Sequence, residues 1–459
     1  MFHKEASSFR DPSGFVYYKN SKIYRQINWC YKHNYDYFLN TGLKDELINK
    51  NLIIRFTETT DAENNNNYYK IIEAEKLSHI TYPYEWCFSQ LKDAALTTLN
   101  IQRKALDYNM VLKDASAYNI QFWQGIPILI DILSFEKYEE GSPWRAYKQF
   151  CEHFLCPLLL IKYKSADLNH LSKIFIDGIP LKLTSELLPL KTHFNFNILS
   201  HIHSHALYQK KYEKKHTKRK NLFISKNKQI ILIDNLIHFV ESINIKQKNT
   251  EWADYYSNNN YTYNALNHKK ELILLLTEQL NIKSVIDFGA NDGTFSSIFS
   301  QQHIETLTID SDPMAVELNY KKAKAAHDVF LTPFIADISN PSPAIGWENN
   351  ERKSMLSRLN CDLALSLALI HHLVITHNLS FKQIAAFFSQ LCSYLIIEFI
   401  PFDDSQIQKM TMHRNDDYNF YTEDNFTISF QPFFTLIKKE NINESKRSLY
   451  LFKNINKNV

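Results

Sequence analysis

The chain has 459 residues, with 52 Lys and Arg against 49 Asp and Glu, a formal net charge of +3. That length predicts two or three domains, and 44% apolar against 22% charged residues excludes a disordered chain. So balanced a charge gives no reason to expect a nucleic-acid or membrane partner.

Cys30, Cys87, Cys151, Cys156, Cys361 and Cys392 contain no CxxC pair, which argues against a disulfide framework and against a zinc ribbon. Reduced, buried thiols in a cytoplasmic protein are the expectation. Residues 1–10 are polar and carry no apolar signal core. The apolar runs around 154–161 and 363–370 fall far short of the roughly 20 residues that span a bilayer.

In chain order, 14–27 is a candidate hairpin, the Asn run at 64–67 a loop, and 85–106 a long helix. Then follows 111–134, VLKDASAYNIQFWQGIPILIDILS, with Asp114, Asn119 and, across a probable hairpin, Asp131. That spacing is similar to the catalytic loop and metal-binding Asp of protein-kinase-like phosphotransferases. Arg25 stands where such a fold has a lysine. The departures are a glycine-rich loop reduced to Gly14, Leu112-Lys113 before the loop Asp, and Ile-Leu after Asp131. The other reading is a plain α+β accessory domain in which these residues are buried and hydrogen-bonded. His201, His203 and His205 would share one face of a strand and would diverge on a helix. With no supporting carboxylate or Cys, no metal site is expected.

Three polar stretches suggest breaks: 64–67, the basic run 210–220 (KKYEKKHTKRK) and 251–264. The apolar segment 229–240 between the last two is read as joining two folded units. The basic run is read as a solvated face or linker. This gives an N-terminal α+β domain at 1–245, a linker at 246–264 and a C-terminal domain at 265–459.

The C-terminal part alternates helix and strand signals: helix 265–280, strand 284–288, helix 294–301, strand 306–309, helix 314–326 and a strand within 329–336. Strand 362–368, helix 381–391 and strand 394–400 follow, then a hairpin of 433–439 and 447–453. Alternating β and α predicts a parallel sheet covered on both faces.

The chain has only 8 Gly, where average usage of about 7% would give roughly 32. Two of them, Gly289 and Gly293, share a five-residue window in Ser284-Val-Ile-Asp-Phe-Gly-Ala-Asn-Asp-Gly-Thr-Phe. Glycine permits a tight turn close to a ligand, and a following helix would offer free N–H groups. The spacing D-x-G-x-x-x-G puts Asp287 at the strand end. An acid there repels a pyrophosphate and suits an ammonium group, which favours S-adenosylmethionine over a dinucleotide. Asp310, 21 residues after Gly289, ends the next strand where a carboxylate can take both ribose hydroxyls. Asp337 ends the third strand, placed for an adenine amino group. Each Asp alone would usually be a cap or turn residue. The candidate cofactor residues are Asp287, Gly289, Ala290, Asn291, Gly293, Asp310 and Asp337.

On these motifs residues 265–459 resemble a class I S-adenosylmethionine-dependent methyltransferase. The whole chain further resembles the nodulation-protein (NoeA-type) group of that superfamily, through FRDPSGFVYYKNSKIYRQIN, YPYEWCFSQLKDAAL, LKDASAYNIQF, PWRAYKQFCEHFLCPL, NPSPAIGW, ALIHHL and IIEFIPFDDSQ. The resemblance implies an α/β fold with a seven-stranded Rossmann-like sheet and a reversed final hairpin. It implies methyl transfer to an acceptor whose identity the residues do not give.

In that superfamily the loop after the fourth strand lies beneath the methyl group, so His371 or His372 is a candidate base. The alternative is a packing or capping role for each. There is no Asn/Asp-Pro-Pro-Tyr/Phe and no Pro-Cys pair, which disfavours DNA amino and cytosine C5 methylation. Glu398, Asp403, Asp404, Arg414 and Tyr421 are open between acceptor pocket and local structure, and 340–347 between a rim and an ordered loop. A small O or N acceptor is expected. A non-catalytic S-adenosylmethionine-binding protein and a bifunctional protein with an ATP- and magnesium-binding first domain are the rivals.

Overall fold

The computed structural model describes residues 3–59, 67–206, 223–245, 262–414 and 416–457. The basic run 210–220, Asn64 to Asn66 and residues 246–261 of the expected linker lie outside them. The chain divides into two compact units, Met1–Lys246 with Ala344–Lys353, and Gln247–Pro343 with Ser354–Val459.

In the first unit, strands β1 (His3–Lys4), β2 (Gly14–Lys19), β3 (Lys22–Ile27), β4 (Phe56–Thr59) and β5 (Lys70–Ala74) form an antiparallel sheet in the order β1-β2-β3-β5-β4. Two helices, Lys32–Asn40 and Leu43–Asn49, lie between β3 and β4 in the chain. The long helix is Phe88–Asp107. It begins three residues later than its apolar pattern predicts, because Pro83–Glu85 forms a separate turn. The Cys87 N–H then donates to Gln90 Oε1 at 3.0 Å, an N-terminal device that fixes the helix start.

After the helix come β6 (Met110–Leu112), β7 (Ile120–Trp123), β8 (Ile126–Leu129) and β9 (Phe135–Lys137), paired β6–β9 and β7–β8. The apolar segment 229–240 is not a connector between units. It lies in the helix Lys226–Ser242, which packs on Phe88–Asp107 and buries Ile233, Leu236, Phe239 and Val240. Residues 344–353 also group with the first unit, not with the second as the division at 265 would have it. Here Arg10 Nε lies 2.7 Å from the buried Glu351, and the Arg352 guanidinium stacks 4.3 Å above Tyr118.

The second unit is built on seven strands: β10 (Ser284–Phe288), β11 (Glu305–Asp310), β12 (Leu331–Ile335), β13 (Cys361–Ser366), β14 (Cys392–Phe399), β15 (Phe434–Asn441) and β16 (Ser448–Asn454). Their order is β12-β11-β10-β13-β14-β16-β15. The first five run parallel, and β16 is antiparallel to both β14 and β15. Each parallel strand is buried along most of its length, as in a sheet covered on both faces. Ile286, Phe288, Leu307, Ile309 and Ala364 face one core, and Val285, Leu363 and Leu365 the other.

From β10 the chain winds outward through β11 and β12, then returns to place β13 on the other side of β10. The strand order therefore reverses between β10 and β13, and a crevice opens at their carboxyl ends. Two helices beyond the sequence expectations, Ser405–Thr411 and Glu423–Phe430, pack beside the final strands.

Candidate functional site

A cavity of about 350 Å³ sits at that crevice. Its wall includes Asp287, Gly289, Ala290 and Asn291 from the end of β10, Asp310 and Ser311 from β11, and Ala336, Asp337 and Ile338 after β12. Leu367, Ala368, Leu369, His372, Leu373, Thr376 and His377 come from the segment after β13, and Leu266 and Lys269 from the helix Tyr263–Thr277.

Six of the seven expected cofactor residues thus line one cavity. Gly293 does not. A Cβ there would lie 2.4 Å from Asn319 Oδ1, so its bare backbone serves packing against the helix Pro313–Ala325. Gly289 and Gly293 both hold φ in the left-handed region, +75° and +79°, which glycine adopts without a Cβ penalty.

The helix expected at 294–301 is also shorter than its pattern predicts. Regular helix is confined to Ser297–Ser300, and three of the loop amides before it are engaged within the loop or by β11. Asn291 N donates to Asp310 Oδ2 (2.8 Å), Gly293 N to the Ala290 carbonyl (3.0 Å) and Thr294 N to Asp292 Oδ1 (3.2 Å). The turn chemistry of Asp292 competes with the helix for its first residues.

Asp287 is 2% exposed, and the Ser296 hydroxyl donates to its Oδ2 at 2.5 Å. Burial pushes its carboxyl up to about 6; Ser296 and Lys269 pull it down, and Asp310 adds to the rise. Asp310 is likewise pushed up to about 6 by burial, against the N–H groups of Asp312 and Asn291, which favour its charge. Asp337 is exposed, and its Oδ1 accepts from Ser339 N (2.8 Å) and Ser339 Oγ (2.6 Å), so it makes an Asx turn as well as part of the wall.

The two adjacent histidines part company. His372 lines the cavity; His371 does not, being 2% exposed, with Nδ1 buried and without a hydrogen-bond partner. The turn His372–Thr376 is helical, and neighbouring residues on a helix point about 100° apart, so only one of the pair can face the cavity. Burial holds the His372 imidazole down to about 4, aided by His377 and Arg447, and holds His371 well below its ordinary range. Both are neutral near pH 7, the form that accepts a proton.

Sequence reasoning did not single out Lys269. Its side chain is buried, its Nζ is 2.5 Å from Glu398 Oε2, and it stands 4.5 Å from the ring centre of Phe295. The signal was present. Ala265, Leu272, Ile273 and Leu276 are buried on one face of Tyr263–Thr277, and Lys269 sits among them at helical spacing. Glu398 also accepts the Ala368 N–H at 2.9 Å. Ala368 is a non-glycine residue at φ +51°, a conformation costing roughly 1–2 kcal/mol and here held by that carboxylate.

Asp404 caps Ser405–Thr411 and holds Arg447 by two contacts of 2.8 and 3.1 Å. Asp403 pairs with Lys446, Arg414 Nη1 donates to the Ile375 carbonyl, and Tyr421 packs among Phe381, Phe399 and Phe402. None of them lines the cavity.

In the first unit, Asp131 is paired with Arg25 Nη1 and accepts from Ser134 Oγ at 2.7 Å. Asp114 lies near enough for the Asp131 charge to raise its pKa, after burial, while Asn119 lowers it. His201 and His203 sit on the helical turn Leu199–His203 rather than a strand, the first bonded to Tyr147 (2.6 Å), the second to Ser185 and Thr192 (2.8 and 2.9 Å). Among the described residues no group of three His, Cys, Asp or Glu is placed to hold a metal ion, and no helix is long and apolar enough to cross a membrane.

No family model matches the chain. Among solved structures, the bifunctional kinase-methyltransferase WbdD is similar with a TM-score of 0.30 and 17% identity, over 44% of this chain and 42% of that one. The chain spans less than half of that protein. N-methyltransferase NodS from Bradyrhizobium japonicum WM9 is similar with a TM-score of 0.31 and 12% identity, over 41% of this chain and 96% of that one. The sequence is 31% identical to Nodulation protein NoeA of Rhizobium meliloti (strain 1021) over 460 aligned positions, 97% of this chain and 95% of the relative. By that extent and identity, the chain belongs to the NoeA family of nodulation proteins.

Proposed function

We propose that the protein is a class I S-adenosylmethionine-dependent methyltransferase acting on an oxygen or nitrogen of a small-molecule acceptor. The observation that carries the reading is the cavity at the β10/β13 reversal, walled by carboxylates from the ends of three successive parallel strands. Two of those carboxyls are raised by burial. Such a wall fits a ligand with an ammonium group and free hydroxyls, and it repels a pyrophosphate.

Asp287 would take the ammonium group, Asp310 the ribose hydroxyls and Asp337 the adenine amino group, with Gly289, Ala290 and Asn291 giving close backbone approach. Bound there, S-adenosylmethionine supplies a methyl carbon made electrophilic by its sulfonium sulfur. Neutral His372, on the cavity wall, would take a proton from the acceptor, and Leu369, Leu373 and Ile338 would exclude water. Holding both reactants in line supplies much of the rate. In this reading 265–459 carries the transfer and 1–245 recognises the acceptor.

Calorimetric titration with S-adenosylmethionine tests it. Micromolar binding to the wild type and a large loss in Asp310→Ala are expected; a folded wild type that does not bind would refute the reading.

A second reading concerns the first unit, where the fold brings Asp114, Asn119 and Asp131 together. Magnesium-dependent ATP binding lost in Asp131→Ala would support it. Against it, Arg25 already neutralises Asp131, and a cation would have to displace that guanidinium.

A further inference from the structure

Large apolar side chains on a water-facing surface are normally scattered singly. In the first unit three of them crowd one short segment: Leu190 is 82% exposed, Phe194 92% and Phe196 79%. They lie on two consecutive helical turns, Leu190–Phe194 and Phe196–Ile198, and Leu199, also exposed, follows. We propose that this segment is a membrane-contact surface that lays its Phe and Leu side chains into the headgroup edge of an anionic lipid bilayer. The surface belongs to the first unit and does not depend on the methyltransferase reading.

The apolar side chains are displayed by a framework that is itself pinned. Thr192 is buried, and its hydroxyl donates to the Pro189 carbonyl at 2.7 Å and is bonded to His203 Nε2 at 2.9 Å. The His193 ring stacks on His203 at 3.7 Å. Asn195 Oδ1 accepts the Ile198 N–H at 3.1 Å, and Ile198 is buried. A segment free to collapse would turn its rings away from water; this one is tied down through its inward residues while the rings stay outside. With Thr192 and Asn195 already bonded, what the segment offers is apolar area. A bilayer receives apolar side chains and supplies no hydrogen-bond partners in its core.

Charge selects the kind of bilayer. Lys191 follows Leu190 in the chain, and its Nζ is 5.6 Å from the ring centre of Tyr163, as is that of Lys162. Lysines and a tyrosine beside apolar tips suit the headgroup level, where their stems meet acyl chains and their polar ends meet water. In the sequence 181–206 the one acid is Glu186, against Lys182 and Lys191. The chain then continues into 210–220, outside the described residues, with seven Lys or Arg against Glu213. The whole-chain net charge of +3 thus conceals a local positive excess, and anionic headgroups are its complement. Among the described residues no helix is long and apolar enough to cross a membrane, so the contact is with one face of the bilayer.

Co-sedimentation of the full chain with phosphatidylcholine vesicles, with and without phosphatidylglycerol, tests this. Wild type should bind the anionic vesicles at least about tenfold more strongly than the neutral ones. The double variant Phe194→Ser, Phe196→Ser should lose about tenfold or more on both kinds of vesicle, with an unchanged unfolding temperature because both rings face water. Lys191→Gln should lose a few-fold on the anionic vesicles and nothing on the neutral ones. In about 1 M salt, where charge acts over only about 3 Å, wild type should fall to its binding of neutral vesicles and no further. Wild type that binds no vesicles overturns the proposal, and this needs no variant to fold. Binding that the double variant keeps in full, or that salt abolishes, shows attraction by charge alone and also overturns it. Wild type that self-associates through Phe194 and Phe196 and ignores vesicles makes the segment a contact between copies, and overturns it too.

Discussion

Replacing Asp287 by Asn should make the ligand-free protein more stable while it destroys the site. The carboxyl is pushed up to about 6, against an ordinary value of about 3.9. The difference of about two units corresponds to about 3 kcal/mol of burial penalty at 1.36 kcal/mol per unit. The sign follows from proton binding: the folded state holds the proton more tightly than the unfolded one. The penalty is therefore complete above pH 6, shrinks as pH falls, and is gone below about 4. Asn keeps an oxygen for the Ser296 hydroxyl but brings an amide NH₂ beside Lys269, which subtracts part of the gain. A net of about 1–2 kcal/mol at pH 8 should raise the unfolding temperature by about 3–6 °C, with no gain near pH 4. Thermal melts of both proteins at the two pH values measure this, and calorimetry should show weakened S-adenosylmethionine binding in the same variant. A variant less stable than wild type at pH 8, or a difference that ignores pH, would refute the reasoning.

Other residues give sharper single outcomes. Gly293→Ala puts a Cβ at 2.4 Å from Asn319 Oδ1 at a φ of +79°, and Asn319 is tied to Thr308 at 2.8 Å; a loss of about 2–3 kcal/mol is expected, and an unchanged denaturation midpoint contradicts it. Glu398→Leu strands the Lys269 ammonium in the core and should cost about 3–5 kcal/mol, much of it recovered in the double variant with Lys269→Met; no recovery would show that the pair is not the cause. The His372 imidazole, held down to about 4, is protonated in the unfolded chain before the folded one, so stability attributable to it falls as pH drops from about 6.5. The denaturation midpoint of His372→Gln should therefore decline less than that of wild type between pH 7 and 5, and equal declines would contradict the assignment.

Local pattern made the centre of the site legible. The apolar run 284–288 ending in Asp and Gly reads as a buried strand meeting a turn, and the structure pairs β10 with β11 and β13 there. Strand-end acids spaced by βαβ units had to reach one edge of a parallel sheet, and Asp287, Asp310 and Asp337 do. The failures arose where side chains competed with the backbone. Asp292 takes the Thr294 N–H and hydroxyl and shortens the expected helix. The apolar face of 229–240 is the same whether it packs within a unit or joins two, so its sequence could not say which.

Long-range charge pairing lies beyond any local pattern. Lys269 and Glu398 are 129 residues apart, and neither has a neighbour in sequence that announces the other. A lysine on an apolar helix face and a glutamate in the run Leu395-Ile-Ile-Glu-Phe399 are each, alone, an anomaly of burial. Two such anomalies of opposite sign in one unit are an argument for a pair, because an isolated buried charge would neutralise itself or prevent folding. By that rule the sequence pairs Glu398, already a candidate on its position, with Lys269, which was not. It would not have shown that the lysine ends on the wall of the cavity, which follows from β14 and the helix Tyr263–Thr277 bringing Glu398 and Lys269 within 2.5 Å beside β10.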